Sequence, residues 1–194
     1  MSLLFRPIVA LVLLTCAVPG AHAADGAVEE RRYVIPFRGT IVLDVPTAWV
    51  DRVERASSNA PPTMRFEPES GDGFTIALAV AWGVDGDGSF NESEALRGMV
   101  ENAVESLRDT AKETEIPIRE IRERSVQGYY FTITDKVEDL PPGEYRYLTQ
   151  GALSLDDLLI SFSILTQPET RSVADRALDM IRGLSRPSGR SGGG

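Results

Sequence analysis

One short stretch of the sequence has the residue types and spacing to bind a metal ion. Oxygen-bearing side chains recur there at nearly alternate positions, as a loop that wraps Ca²⁺ requires; they belong to Asp85, Asp87, Ser89, Asn91 and Glu92. An EF-hand loop counted from Asp85 would need glycine where the chain has Phe90, and a bidentate acid where it has Leu96. The stretch is therefore predicted either to bind calcium or to form a solvated acidic turn beside the positive end of a helix.

Catalysis that depends on histidine or cysteine is excluded by the sequence. The only histidine is His22 and the only cysteine is Cys16, and both lie in a predicted signal peptide. Disulfides, cysteine nucleophiles, Ser-His-Asp triads and the usual zinc or copper sites are then ruled out for the mature chain.

Two other kinds of catalytic group remain to be considered in the sequence, namely paired carboxylates and a serine nucleophile. Adjacent acids at 156–157 and at 138–139 could serve a carboxylate hydrolase, but neighbouring acids in a strand point to opposite faces and acids in turns usually face water. A serine nucleophile would need a lysine base, and neither Lys112 nor Lys136 has the apolar surroundings that lower a lysine pKa. We therefore expect no enzyme, with a carboxylate hydrolase as the remote alternative.

Aromatic residues offer a possible recognition surface. Tyr129, Tyr145 and Tyr147 fall on strands that are expected to be neighbours. Tyrosines that point outward would form a partner-binding patch, whereas inward ones would pack across strands. Trp49 is predicted to plug one end of the core or, alternatively, to stack on a ligand.

The start of the chain has the pattern of an export signal. Arg6 is followed by an apolar run at 8–18 and by Ala21-His22-Ala23, which is a small-residue cleavage pattern. We expect a signal peptide at 1–23 and a periplasmic or secreted mature chain; a lipidated Cys16 is the alternative. The formal net charge of −9 disfavours nucleic acid as a partner.

The elements that must position these groups follow from hydrophobic periodicity. Alternating and apolar runs predict strands at 32–37, 40–45, 50–54, 64–67, 74–82, 118–125, 126–134, 145–153 and 158–165. Amphipathic spacing predicts helices at about 91–112 and 168–184. The nearly all-apolar strand 74–82 is expected to be central and covered on both faces. A flexible N-terminus at 24–31 and a disordered tail at 186–194 would flank one domain at 32–185.

The order of these elements resembles the PsbP-like family, which groups PsbP, Ran-binding Mog-type proteins and bacterial DcrB-like envelope proteins. The resemblance rests on Leu43-Asp-Val-Pro-x-x-Trp49, a hairpin, a helix after Trp82, further strands and a terminal helix. The family often has glycine before the tryptophan, where this chain has Ala48. The resemblance implies an α+β fold, a single-domain α/β/α sandwich with a mostly antiparallel sheet and two main helices, and a non-catalytic binding or assembly role.

Together these patterns predict an exported, non-catalytic envelope module that binds a protein partner or assists assembly. The alternatives are a calcium-binding module that uses the 85–92 loop and, less favoured, the hydrolase. No transmembrane segment and no cofactor other than calcium are expected.

Overall fold

The computed structural model describes residues 26–69, 73–83 and 92–187. These residues form nine strands and two α-helices: β1 (Val28–Ile35), β2 (Gly39–Pro46), β3 (Trp49–Glu54), β4 (Thr63–Pro68), β5 (Phe74–Trp82), α1 (Ser93–Leu107), β6 (Arg119–Arg122), β7 (Gln127–Thr134), β8 (Tyr147–Leu155), β9 (Leu158–Thr166) and α2 (Val173–Arg182). Short 3₁₀ turns at Arg108–Thr110 and Pro168–Thr170 follow α1 and precede α2.

Seven strands form one antiparallel sheet in the order β3-β4-β5-β9-β8-β7-β6. Sequential strands pair directly except at the β5–β9 contact, where nine residues of each strand lie side by side, from Phe74 opposite Thr166 to Trp82 opposite Leu158. β1 and β2 pair only with each other and make a separate hairpin. The predicted α+β class, with two main helices on an antiparallel sheet, is confirmed.

The sheet separates two apolar cores because its strands alternate between faces. On the first face, large apolar side chains lie under the β1–β2 hairpin and α2. Examples are Phe66, Ile76, Leu78, Ile160 and Phe162. Tyr33 of the hairpin meets Phe66 edge-on, with ring centroids 6.1 Å apart. The hairpin and α2 therefore form a mixed layer on this face.

α1 covers the opposite face over β7 and β8. Its buried residues Leu96, Val100 and Val104 have the four-residue spacing of one helical stripe. They pack against Phe131 and Ile133 of β7. The helices thus lie on opposite sides of the sheet, as a sandwich requires.

Two predicted boundaries of the domain are corrected. The predicted flexible segment 24–31 overlaps β1, which begins at Val28 and pairs along its whole length with β2. Its charged side chains are held by ion pairs, such as that between Arg31 and Asp51 at 2.5 Å. Arg186, placed in the predicted disordered tail, also has ordered contacts, to Asp156 and Asp157. Charge pairing, which hydrophobic periodicity does not detect, extends the fold at both ends.

The prediction for β5 is also corrected. β9 is the fourth of the seven strands, so β5 is not the central one. One face of β5 is buried, but Ala77, Ala79 and Ala81 on the other are only half-buried. Because alanine is apolar, the run looks continuously apolar in the sequence. Because alanine is also small, the face of β5 that carries these residues needs no covering layer.

The start of α1 lies close to the predicted start of the helix at about residue 91. The helix begins at Ser93, and Glu92 occupies the N-cap with extended backbone and no side-chain hydrogen bond to the helix. The Glu92 carbonyl accepts the N–H of Leu96 at 2.9 Å.

Candidate functional site

The aromatic residues predicted to form one recognition patch are divided between the two faces of the sheet. Tyr129 lies on the α1 face, where its hydroxyl is 2.9 Å from that of Ser93 and its ring is 5.8 Å from the Arg97 guanidinium. Tyr147 lies on the α2 face, beneath the guanidinium of Arg171 at 4.6 Å. The two tyrosines therefore cannot bind one partner surface together.

The other two aromatic candidates have structural partners. The Tyr145 hydroxyl lies 2.8 Å from that of Thr75, just before β8 begins. Trp49 is 3% exposed and its ring lies 5.0 Å from that of Phe74. Trp49 is therefore packed into the core, and its alternative prediction as a ligand-stacking residue stays a prediction.

Tyr147 belongs to a polar cleft between α2 and the β6–β8 end of the sheet. The cleft has a volume of about 390 Å³. Its walls come from four strands, from α2 and from the turn before that helix; they include Arg119, Tyr130, Thr132, Tyr147, Thr149, Thr166, Arg171, Asp175, Leu178 and Arg182. Strand alternation explains the floor, because Tyr130, Thr132, Thr149 and Thr166 all fall on the α2 face. We call this feature the α2 cleft.

Positive charge predominates in the α2 cleft. Three arginines and one aspartate line it. Arg182 pairs with Asp179 on its own helix at 3.0 Å. Among the described residues, the Arg119 side chain makes no hydrogen bond or ion pair. The Arg171 guanidinium lies over the Tyr147 ring and has no ion pair within 4 Å, but it interacts electrostatically with Glu113. The cleft is an exception on a chain whose net charge is −9.

The positive charge of the cleft helps to lower the pKa of a nearby carboxylate, that of Glu113. Burial alone would raise the pKa of Glu113, but the Thr134 N–H and hydroxyl both donate to its carboxylate, at 2.9 and 2.7 Å. These hydrogen bonds and the positive charge of Arg171 outweigh burial, so the pKa of Glu113 lies below its usual value.

A second unusual feature is the tip of the β1–β2 hairpin. The Arg38 N–H donates to the Ile35 carbonyl at 3.0 Å, which closes a four-residue turn. Phe37, the third residue of that turn, has a φ of 62° and is 81% exposed. A positive φ is a glycine conformation, and it is a true outlier for a bulky side chain. Val34, nearby on β1, is 63% exposed.

The turn is held from below by a network of charges, and we call turn and network together the braced tip. Arg38 donates to the Asp157 carboxylate at 2.8 Å and to the Gly83 carbonyl at 3.3 Å. Arg186 donates to the Arg38 carbonyl and to the other Asp157 oxygen. The β8–β9 turn and the segment after α2 thus fix the position of the hairpin.

The predicted acidic sites have different outcomes. Asp156 and Asp157, considered as a hydrolytic pair, contact Arg186, and Asp157 also binds Arg38, within the braced tip. Asp85, Asp87, Ser89 and Asn91 of the predicted calcium loop lie outside the described residues, and Glu92 is the N-cap of α1. Within the described ranges, no group of three or more potential metal ligands is present.

Sequence reasoning missed Phe37 and the arginines of the α2 cleft. Phe37 was placed at the end of a strand, although Pro36 before it and Gly39 after it have the composition of a turn. The arginines of α2 read only as its polar face. The available signal was the helical spacing of four cleft residues. Arg171, Asp175, Leu178 and Arg182 are separated by four, three and four positions, which puts them on one stripe of α2 and the turn before it.

Comparison with known proteins gave one structural likeness. No family model matches the chain, and no curated protein matches it. The solution structure of cyanobacterial PsbP (CyanoP) from Synechocystis sp. PCC 6803 is similar, with 12% sequence identity and a TM-score of 0.49, over 87% of this chain and 99% of that chain. Membership of the PsbP-like family stays a prediction.

In the part of the chain that the structure describes, neither helix has the length and apolar composition needed to cross a membrane.

Proposed function

We propose that this protein is an exported, non-catalytic module that docks onto a partner protein through Phe37 at the braced tip. The observation that carries the proposal is a phenylalanine held in a glycine conformation with most of its side chain in water. Backbone strain of this kind persists where the surrounding structure over-determines it, and it is concentrated at ligand clamps and other functional sites.

The energetics favour an intermolecular role for Phe37. A left-handed conformation costs an L-residue roughly 1–2 kcal/mol, and glycine would remove that cost. In the free protein the exposed ring gives back little of this energy as burial. On a partner, complete burial of the side chain would contribute about 2–3 kcal/mol. Aromatic anchors of this kind dominate binding at protein interfaces.

The braced tip also reduces the entropy lost on docking. Arg38 and Arg186 fix the turn to Asp157 before any partner arrives. A pre-organised anchor loses fewer conformations on binding than a flexible loop, so more of the contact energy becomes affinity.

Export and the absence of catalysis are the remaining parts of the proposal. Export is supported by the signal-like sequence at 1–23. A non-catalytic role is supported by the lack of histidine and cysteine after residue 22 and by the structural use of Asp157 in the braced tip.

The test is site-specific photo-crosslinking in cells that express the full chain. A photoreactive phenylalanine analogue replaces Phe37 in one protein and Val137 in a matched control, because Val137 is also an exposed apolar residue outside the helices and strands. We expect a discrete adduct with one other protein from position 37 and none from position 137. Co-expressed wild-type protein should compete for that adduct, whereas the co-expressed Phe37→Gly variant should not.

Three outcomes would reject the proposal. They are no adduct from position 37, equal adducts from both positions, or an adduct that contains only copies of this chain. The melting temperature of Phe37→Gly should equal or exceed that of the wild type, which separates lost docking from lost folding.

A further inference from the structure

We propose that the α2 cleft is a second, separate binding site, and that it takes a small ligand bearing an oxyanion, either a carboxylate or a phosphate. Its residues are distinct from those of the braced tip. The two sites can therefore be tested independently.

The cleft has the size and lining of a ligand site. Its volume of about 390 Å³ falls in the range of small-molecule pockets, which is roughly 300–1,000 Å³. Leu178 and Tyr130 supply apolar surface. Thr132 and Thr149, directly opposite each other on β7 and β8, share a hydroxyl hydrogen bond of 2.8 Å on the floor. Most of the lining is polar, so the hydroxyl and guanidinium groups would select the ligand more than the apolar surface does.

The charges of the cleft favour an anion. Guanidinium groups present paired N–H donors that match carboxylate and phosphate oxygens. Elsewhere on the described chain, arginines such as Arg31, Arg38 and Arg97 have acidic partners. In the cleft, Arg119 and Arg171 make no ion pair within 4 Å among the described residues, and Arg171 interacts with the Glu113 carboxylate only over a longer distance.

Arg171 is held ready to bind. Its guanidinium lies over the Tyr147 ring, 4.6 Å from the centroid. Stacking on an aromatic face restrains the side chain but leaves the edge of the guanidinium, where its N–H donors lie, available. Arg171 is therefore positioned without being neutralised.

The balance of charge limits the ligand. Asp175 also lines the cleft and offsets one of the three arginines there, and Arg182 already pairs with Asp179. With Asp175 and Asp179 set against the three arginines, the cleft keeps one net positive charge, and Glu113 interacts electrostatically with Arg171. The cleft therefore suits a single oxyanion group rather than a polyanion.

A buried hydroxyl gives independent support. Thr166 lines the cleft and is 1% exposed, and its hydroxyl has no hydrogen-bond partner within the described residues. An unsatisfied buried hydroxyl is unfavourable, and each such group in a native structure calls for an explanation. A ligand oxygen in the cleft, reached by rotation of the threonine side chain, would satisfy this one.

The test is an NMR titration of the full-length protein, following arginine side-chain Nε–Hε signals and threonine methyl signals. One arm uses inorganic phosphate and the other uses succinate, so that the two sources of an oxyanion are distinguished. We expect saturable shifts at Arg119, Arg171 and Thr166 with at least one probe, below about 10 mM. The phosphate arm and the succinate arm then identify which class of ligand the cleft takes.

Variants locate the binding. Arg171→Gln should weaken it about tenfold or more, since a charge-assisted pair is lost. Thr166→Val keeps the shape of the side chain and should weaken it several-fold. The matched control is Arg124→Gln, an exposed arginine outside the cleft, which should change it less than about twofold. Phe37→Gly should leave it unchanged.

The proposal is overturned if neither probe produces a saturable shift at the cleft residues. It is also overturned if Arg124→Gln weakens binding as much as Arg171→Gln does, because binding would then reflect overall charge. If position 37 gives no crosslink but the α2 cleft binds a probe saturably, only the proposed protein docking is rejected.

Discussion

The braced tip and the α2 cleft use the same residue, arginine, in opposite ways. In the braced tip, Arg38 and Arg186 bind Asp157 and backbone carbonyls, and the group left exposed is an apolar ring. In the α2 cleft, Arg182 pairs with Asp179, whereas Arg119 and Arg171 have no ion pair among the described residues. The pairing state of a charge therefore separates the arginines of the braced tip from those that we propose bind a ligand.

This contrast also separates the two kinds of recognition. The braced tip projects one large side chain from a fixed turn, which suits insertion into a pocket of another protein. The α2 cleft is concave and polar, which suits a small charged ligand.

The largest difference is expected from adding one methyl group to a glycine next to each region: Gly151 lies on β8 beyond the cleft residue Thr149, and Gly39 follows Arg38 of the braced tip. In Gly151→Ala, the new Cβ would lie 2.4 Å from the Tyr129 carbonyl oxygen and 2.6 Å from the Phe162 ring. We expect the free energy of unfolding to fall by about 3 kcal/mol or more, because backbone cannot yield easily. Gly39→Ala should cost only about 1 kcal/mol, from its φ of 83°. Urea denaturation measures both; equal losses would contradict the comparison.

A smaller difference is expected from removing an arginine. Arg186→Ala removes the donor to the Arg38 carbonyl and to Asp157, so we expect a loss of about 1–2 kcal/mol in stability. Arg182→Ala, beside the cleft, breaks only an exposed pair with Asp179 and should cost no more than about 0.5 kcal/mol. A larger loss for Arg182→Ala would show that the cleft arginine is structural after all.

Substitution of either proposed binding residue, Phe37 or Thr166, should leave the protein at least as stable as the wild type. The reason is that each wild-type side chain is unfavourable in the free protein. Phe37→Gly relieves a strained turn but increases the freedom of the unfolded chain, so we expect a gain of between zero and about 1 kcal/mol. Thr166→Val removes an unsatisfied buried hydroxyl and should gain up to about 1 kcal/mol. Thermal unfolding checks both values, and a clear loss in either variant would mean that the residue has a structural role.

The smallest expected effect is a pH dependence near the cleft. The folded-state pKa of Glu113 is lowered, so its ionised form stabilises the fold above its unfolded-state pKa, and this contribution is lost as the pH falls through the folded value. Glu113→Gln should therefore lower stability at neutral pH, and the deficit should shrink in acid. The control is Glu115→Gln, at an exposed position close by, and it should show no such convergence. Arg171→Gln should move the pKa of Glu113 upward.

The parts of the fold that depend on apolar alternation could be predicted from the sequence. The strands at 74–82 and 158–165 were placed almost residue for residue, because long β-branched and aromatic runs have few other ways to be buried. The helix over 91–112 was found from its apolar stripe but ends at Leu107, where a 3₁₀ turn replaces the last turns.

The candidate sites were harder to predict, since they depend on contacts between distant residues. The prediction that Tyr147 contributes to a recognition surface stays a prediction, and nothing near it in the sequence indicates that Arg171 stacks on it. Phe37 was assigned to a strand because its hydrophobicity outweighed the turn signal of Pro36 and Gly39. The calcium prediction for the 85–92 loop stays a prediction, to be tested by calorimetric titration of the full chain with Ca²⁺.

The bond between Arg186 and the Arg38 carbonyl joins residues 148 positions apart in the sequence. Ser185 and Val42 exchange backbone hydrogen bonds over a similar separation, at 2.8 and 3.2 Å. Contacts between residues so far apart in the sequence form late, because the intervening chain must first be organised. During vectorial synthesis or translocation, the hairpin would emerge early but stay unbraced until the segment after α2 arrived. Docking competence at Phe37 would therefore report that the whole domain has finished folding.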